Sequence, residues 1–188
     1  MPFSRNSREV LHDYSFIKVV KDSFKEIESN ENFERIAIEH IGAVAVVPIL
    51  ENGNLVLIKQ YRSTINSLSL EAVAGRRDVD NEDLEDCAKR ELIEEIAIKA
   101  EKIIPLGWIH TSPGFTDERI YLFLGLECTK LEKNDPDGIE EKLAETIEVS
   151  PEDALEWIEN GTVTDGKSII NINRAIKYLK SQDRFLNS

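Results

Sequence analysis

Arg90-Glu91-Leu92-Ile93-Glu94-Glu95, with the run Ser69-Leu-Glu-Ala-Val-Ala-Gly75 that leads into it, is the stretch on which the reading of this chain turns. The earlier run has the composition of a short strand that opens into a polar loop over Arg76 to Asn81. A helix is predicted from about Glu82 to Ala97, with Asn81 as its N-cap. Glu82, Asp83, Glu85 and Asp86 fit the positive end of its dipole. At about 100° per residue, Glu91 and Glu95 fall one turn apart on one side. Leu84, Cys87, Ala88 and Ile98 share that bearing, and Glu94 falls on the flank of the pair. Two carboxylates therefore border the apolar stripe instead of facing water. Like charges at i, i+4 cost roughly a few tenths of a kcal/mol on an exposed helix. They cost more at a core edge, where desolvation disfavours the charged form. A hard divalent cation removes both penalties, because Mg²⁺ takes carboxylate oxygens and keeps waters and substrate phosphates in its shell. The plainer alternative is a solvated acidic helix. What favours the metal is the preceding strand and Gly75, where backbone can approach a ligand closely.

Outward from this segment the chain alternates strands and helices. Ala43 to Leu50 and Leu55 to Arg62 read as a hairpin around the turn Glu51-Asn-Gly-Asn54. Lys102 to Ile109 and Arg119 to Leu126 read as strands joined by the loop His110 to Glu118. A second loop, Glu132 to about Glu145, carries Asp135-Pro-Asp-Gly138 and precedes a last strand, Thr146 to Val149. Ser150-Pro-Glu-Asp153 combines an N-cap serine, proline at N1 and acid at N3, and that helix closes at Asn160-Gly161. Asp165 opens a final helix to about Lys180. The first forty residues hold β-prone pieces, Phe16 to Val20 and Ile36 to Ile38, which predict a small antiparallel unit. The expected fold class is α/β, a mixed-sheet sandwich with helices interspersed.

Composition narrows the chemistry. The chain has 188 residues, 41% of them hydrophobic, and 23 Lys+Arg against 36 Asp+Glu leave a formal charge of −13. Such a surface is a poor partner for a nucleic-acid backbone. A phosphate compound could bind only where metal ions or a few local Arg and Lys side chains reverse the sign. Two cysteines, Cys87 and Cys128, cannot build a disulfide framework or a four-cysteine zinc site. His12, His40 and His110 show no ligand spacing. The absence of an apolar run of membrane-spanning length and of an N-terminal leader predicts a soluble cytoplasmic protein with no membrane partner.

The segment from Gly75 to Ile98 resembles the Nudix box, Gly-x5-Glu-x7-Arg-Glu-U-x-Glu-Glu-x-Gly-U, where U is bulky and apolar. Glu82, Arg90, Glu91, Leu92, Glu94, Glu95 and Ile98 match in register. Two departures are visible: Gly75 precedes Glu82 by one residue more than the pattern, and Ala97 stands where the pattern has its second glycine. Gln60-Tyr61-Arg62, Glu71-Ala-Val-Ala-Gly75 and Ser112-Pro-Gly-Phe-Thr-Asp-Glu118 are similar to segments of the ADP-ribose pyrophosphatase branch. Pro113, fifteen residues beyond Ile98, matches a proline of that branch.

The resemblance implies an α/β/α sandwich over residues 43–188 and an N-terminal β lobe over 1–42, exchanged between the subunits of a homodimer. It implies Mg²⁺-dependent hydrolysis, with Mn²⁺ possible, of a nucleoside diphosphate linked to another group: ADP-ribose to AMP and ribose 5-phosphate. Glu91 and Glu95 are the implied metal ligands, joined by Glu94 and the carbonyl of Ala74. Arg90 is read as a brace of the helix. Glu82 is either an outer metal group or a helix-start acid. The general base is expected from Glu145 or Glu141, with Glu140 competing and Glu94 a third catalytic candidate. Arg62, Glu71, Pro113, Gly114 and Glu118 are the implied substrate-side residues, with surface ion pairs as the plain alternative for Arg62 and Glu118. Two other functions stay open: a pyrophosphatase of GDP-mannose or ADP-/UDP-glucose, and a nucleotide-binding module without catalysis. Retention of Glu91, Glu94 and Glu95 argues against the second.

Overall fold

The computed structural model describes residues 1–132 and 144–182. Its strands are β1 (Phe3–Asp13), β2 (Ile17–Glu26), β3 (Asn32–His40), β4 (Ala43–Pro48), β5 (Leu55–Arg62), β6 (Ser67–Glu71), β7 (Val73–Arg76), β8 (Ile98–His110), β9 (Arg119–Lys130) and β10 (Glu145–Val149). Its helices are α1 (Leu84–Ile96), α2 (Pro151–Glu159) and α3 (Gly166–Ser181). Two compact units result, one of Met1–Gly42 with His110–Arg119, the other of Ala43–Ile109 with the described residues from Ile120 onward.

In the second unit, β4 and β5 decide the layering, but not as the expected hairpin: past the single bridge Ile49–Leu55 they part, β4 to lie between β7 and β9 and β5 between β10 and β6, so each strand carries a different sheet. Alternate side chains of a strand point to opposite faces. Val44, Val46, Val56 and Ile58 pack with Cys87, Ala88, Leu92 and Ile96 of α1. Val47, Leu55 and Leu57 pack with Ile172, Ala175 and Ile176 of α3, and Ala45 belongs to the smaller cluster that Ile170 covers. Strands buried on both faces read as nearly continuous apolar runs, as Ala43 to Leu50 does. The sheets run β10-β5-β6 and β7-β4-β9-β8. β4 lies parallel to β9 and antiparallel to β7, so the second sheet is mixed. With α1 on one side and α3 on the other, this unit is an α/β/α sandwich.

Three further local expectations are corrected. Ser69 to Gly75 is not one strand: β6 pairs with β5 in one sheet, β7 pairs with β4 in the other, and Ala72 lies at the switch. Gly75 is inside β7, opposite Val44, and does not open the loop. The N-cap of α1 is Asp83, with extended backbone and no side-chain cap bond, whereas Asn81 sits in the loop at φ 60°. Asparagine tolerates that left-handed geometry, which lets the longer loop turn before the helix begins. α2 and α3 start as read: Ser150 accepts the Asp153 N–H at 3.0 Å and Asp165 accepts the Ser168 N–H at 3.0 Å.

The first unit is an antiparallel meander, β1-β2-β3. β1 was not predicted, because Phe3-Ser-Arg-Asn-Ser-Arg-Glu-Val-Leu-His-Asp13 carries no period-two apolar pattern, and all of it is exposed. Cross-strand ion pairs hold its strands, chiefly Arg8 to the buried Asp22 through two bonds of 2.7 Å. The loop 110–119 docks on β3, with the Ile38 N–H donating to the Phe115 carbonyl at 2.7 Å and the Asp117 N–H to the Ile38 carbonyl at 3.2 Å. Among the described residues no helix is long and apolar enough to cross a membrane.

Candidate active site

The buried face of α1 comprises Cys87, Ala88, Glu91, Leu92 and Ile96. An ionisable side chain in that company needs an explanation, and Glu91 is only 6% exposed. It lies against the backbone of β7. A Cβ built on Gly75 overlaps the carboxyl carbon and both oxygens of Glu91, so glycine here is the condition for the carboxylate to sit where it does. Burial pushes the Glu91 carboxyl up to about 7. Arg90 pulls it down, and the neighbouring Glu94 and Glu95 add to the rise.

Arg90 is the hub of these acids. Its Nε donates to Glu82 at 2.9 Å and its Nη2 to the other Glu82 oxygen at 3.0 Å, a two-bond fork. Its Nη1 donates to Glu91 at 2.7 Å and to Glu94 at 2.9 Å. It also reaches the Arg76 carbonyl at 3.4 Å, which ties the loop after β7 to the helix. Glu82, then Glu94 and Glu91, hold the guanidinium well above its ordinary value, and Arg90 in turn depresses Glu82. The brace read from sequence is therefore present: Glu94 is its i+4 partner, whereas Asp86 at i−4 pairs with Lys89 and Glu82 takes that place. Cys87, beneath this cluster, is buried in the core that α1 shares with β4 and β5, and burial and Glu82 push its thiol up to about 12.

A second charged cluster stands at the switch between β6 and β7. Arg62 grips Glu71 through two bonds of 2.9 and 2.6 Å, and Lys167 of α3 donates to the same carboxylate at 2.5 Å. Glu71 is 2% exposed. Burial would raise its carboxyl, but the bonds from Arg62 and the charge of Lys167 outweigh that and hold it at about 2. Glu95 is half-buried and adds to the acidic field on Arg62, which links this cluster to α1.

These contacts place each predicted residue. Glu91 and Glu94 share Arg90, Glu95 lies one turn from Glu91 and adds to the field on Arg62, and Ala74 lies next to Gly75 in β7. Glu145 stands opposite Lys59 and pairs with it at 3.3 Å. That register puts its side chain on the face of β5 that carries Leu55 and Leu57, while Ile58 and Arg62 occupy the other. Glu140 and Glu141 lie outside the described residues. Pro113, Gly114 and Glu118 belong to the 110–119 loop of the first unit, where Glu118 accepts from Thr111 at 2.7 Å and faces His40 at 3.6 Å. The residues that sequence reasoning missed are Asp165, Lys167 and Ser168. Lys167 did carry a signal: a cation in the first turn of a helix opposes the dipole, so an acidic partner was to be sought.

Among the described residues no three acidic, histidine or cysteine side chains converge as ligands on one point. The donor set nevertheless fits a hard divalent cation. Glu91, Glu94 and Glu95 would offer carboxylate oxygens and Ala74 a carbonyl, and the missing side chain of Gly75 is what gives the Glu91 carboxylate its place.

Comparison with known proteins agrees with this chemistry. The family model described as NUDIX domain matches residues 39–170. The chain is 35% identical over 159 residues to an ADP-ribose pyrophosphatase of Bacillus subtilis (strain 168), covering 84% of this chain and 82% of that protein. It is 29% identical over 171 residues to a GDP-mannose pyrophosphatase of Yersinia pestis (strain Pestoides F), covering 88% and 83%. A crystal structure of an ADP compounds hydrolase superposes with a TM-score of 0.81 at 18% identity, over 98% of this chain and 97% of that one, which supports the fold.

Proposed function

The chain belongs to the Nudix family, and from that premise we propose that it hydrolyses the diphosphate bridge of ADP-ribose to AMP and ribose 5-phosphate. The observation that carries this reading is the Glu91 carboxylate pressed onto Gly75 with Glu94 and Glu95 beside it. Glu91, Glu95, Glu94 and the carbonyl of Ala74 would hold divalent ions, Mg²⁺ first and Mn²⁺ in its stead. Ions bound there neutralise the two phosphates and make an attacking water more acidic.

The chain's own residues do the positioning. Arg90 fixes the separation of Glu91 and Glu94, and Gly75 leaves the first of them its place. Arg62 has its Nε and Nη2 on Glu71, and its side chain is 40% exposed, so the remaining donors suit a phosphate oxygen. Glu71 acts through Arg62, holding the guanidinium in one orientation. A carboxylate must take the proton of the attacking water. Glu94 is the candidate beside Glu91, with Glu141 that of the segment before β10; Glu145, on the face of β5 opposite to Arg62, stands behind both. Ser112, Pro113 and Gly114 are proposed to shape the wall beside the terminal ribose, and Glu118 to accept a ribose hydroxyl or hold a metal.

The protein is read as a cytoplasmic homodimer of two domains, 1–42 and 43–188, with the first completing its partner's substrate site. Exposed Phe3, Val10 and Leu11 on β1 support a partner there. A sedimentation mass of a single 21.4 kDa chain would refute the dimer.

The similarity to a GDP-mannose pyrophosphatase supports a second reading, a nucleotide-sugar substrate. A panel of ADP-ribose, ADP-glucose, UDP-glucose and GDP-mannose with Mg²⁺ and product analysis separates the two. AMP and ribose 5-phosphate with the highest kcat/KM for ADP-ribose is expected. Preference for GDP-mannose selects the alternative, and nucleotide binding without hydrolysis overturns both.

A further inference from the structure

The amide of Ala72 lies where the chain leaves one sheet for the other, so neither ladder satisfies it. Ala72 is fully buried, and its N–H donates to the hydroxyl of Ser168 at 2.7 Å. Ser168 is also fully buried, so water is no ready substitute. The hydroxyl is aimed: it donates its own proton to Asp165 Oδ2, which leaves a lone pair for Ala72. The same Asp165 oxygen accepts from Lys167 Nζ at 2.8 Å, and Lys167 reaches Glu71 Oε2 at 2.5 Å. One turn of α3 thus holds two consecutive residues, Glu71 and Ala72. The backbone then enters β7, where Ala74 pairs with Ala45 and Gly75 with Val44.

Helix capping alone does not account for this. The Asp165 cap needs only the Ser168 N–H, yet Lys167 is placed in the first turn against the dipole, its side chain 12% exposed. We propose that Ser168, braced by Asp165 and Lys167, is a positioning residue for the metal-side backbone: it sets the position of Ala74, whose carbonyl is the proposed ligand, and of Gly75, which meets Glu91. The role rests on the proposed divalent site and adds to it the element that aligns its backbone ligand. Outer partners that orient first ligands are worth about 10–100-fold in metal affinity.

The test uses the full chain, with Mn²⁺ uptake followed by electron paramagnetic resonance and amide exchange followed over residues 72–76. Ser168→Ala is expected to raise the Mn²⁺ dissociation constant by about tenfold and to speed exchange at Ala72, Ala74 and Gly75. Ser168→Thr, which keeps the hydroxyl, is expected to bind like the parent. If Ser168→Ala does not fold, Lys167→Gln, which cuts the bridge to Glu71 and leaves Ser168 in place, is expected to weaken Mn²⁺ several-fold. Parental Mn²⁺ affinity and parental exchange in the folded variant overturn the positioning role while the metal site stands. A parent chain that takes up no Mn²⁺ overturns the metal site itself, and the positioning role with it.

Discussion

Replacing Gly75 by alanine adds one carbon at the point where β7 meets the Glu91 carboxylate. Gly75 is not among the glycines with positive φ, so the alanine backbone fits. By itself the change would stabilise by about 0.4–1 kcal/mol, through the less flexible unfolded chain. The contact decides otherwise. The new Cβ overlaps the carboxyl carbon and both oxygens of Glu91, far inside the roughly 3.5 Å of ordinary contact. Glu91 is 6% exposed and bonded to Arg90 at 2.7 Å, so it can retreat only by breaking that bond or by pushing α1 off β7. Overpacking of this kind costs about 1–3 kcal/mol. The net loss is then about 0–2.5 kcal/mol, or at roughly 2–4 °C per kcal/mol for a chain of this size, a Tm lower by a few degrees. Activity should fall further, because a misplacement of about 1 Å at a reacting centre is worth on the order of 100-fold. The assay is kcat and Mg²⁺ half-saturation by AMP release, with Tm by calorimetry. The same substitution in a Glu91→Ala background isolates the cause. There the obstacle is gone, and Gly75→Ala should stabilise by the about 0.4–1 kcal/mol of its backbone effect. An active Gly75→Ala enzyme, or an equal Tm loss in both backgrounds, would refute the reasoning.

Three further outcomes are expected. Ala97 closes α1 at φ 51° and ψ 44°, donating to the Ile93 and Leu92 carbonyls, a left-handed cap that glycine adopts without a Cβ penalty. Ala97→Gly should therefore raise stability by about 1 kcal/mol, and a Tm at or below the parent's in calorimetry contradicts this. Glu95→Gln should lower kcat by on the order of 100-fold or more with the fold intact by circular dichroism, and near-parental turnover at saturating Mg²⁺ rejects the ligand assignment. Glu71, held at about 2 in the fold, lies below its ordinary value of 4.5. Its contribution is thus complete above about pH 4.5 and drains as the pH falls toward 2, on the order of 3 kcal/mol in all. In urea titrations the stability gap between parent and Glu71→Gln should shrink across that window, and a gap constant from pH 5 to 2 shows that the carboxylate is not held low.

The chain's periodic and local features were legible without coordinates. The apolar runs of Ala43 to Leu50 and Leu55 to Arg62 foretold two strands about a turn, but not that they would part into separate sheets, because an apolar run does not record which strand it pairs with. Ser150-Pro151 and Asp165 foretold two helix starts, because a cap is a contact among residues only three apart. The 3.6-residue period of α1 put Glu91 at the apolar edge, where the fold buries it. β1 escaped because ion pairs to β2 and β3, not an apolar face, hold it in the meander. Asn81 was misread as the cap because its residue type suits both a cap and a left-handed turn, and only the path of the loop selects between them.

What the linear order of residues determined is most of the elements, β1 and the break between β6 and β7 excepted, and the acidic turn of α1 with its carboxylates one step apart. What only the tertiary structure decided is who stands beside those acids: Gly75 under Glu91, Arg90 among Glu82, Glu91 and Glu94, and Lys167 and Ser168 clasping residues 96 positions earlier in the chain. The reason is physical. Periodicity and capping act over one helical turn or one strand pair, so nearby residues record them. The break between β6 and β7 leaves an amide that no local partner can reach, and its satisfaction depends on where a distant helix comes to rest.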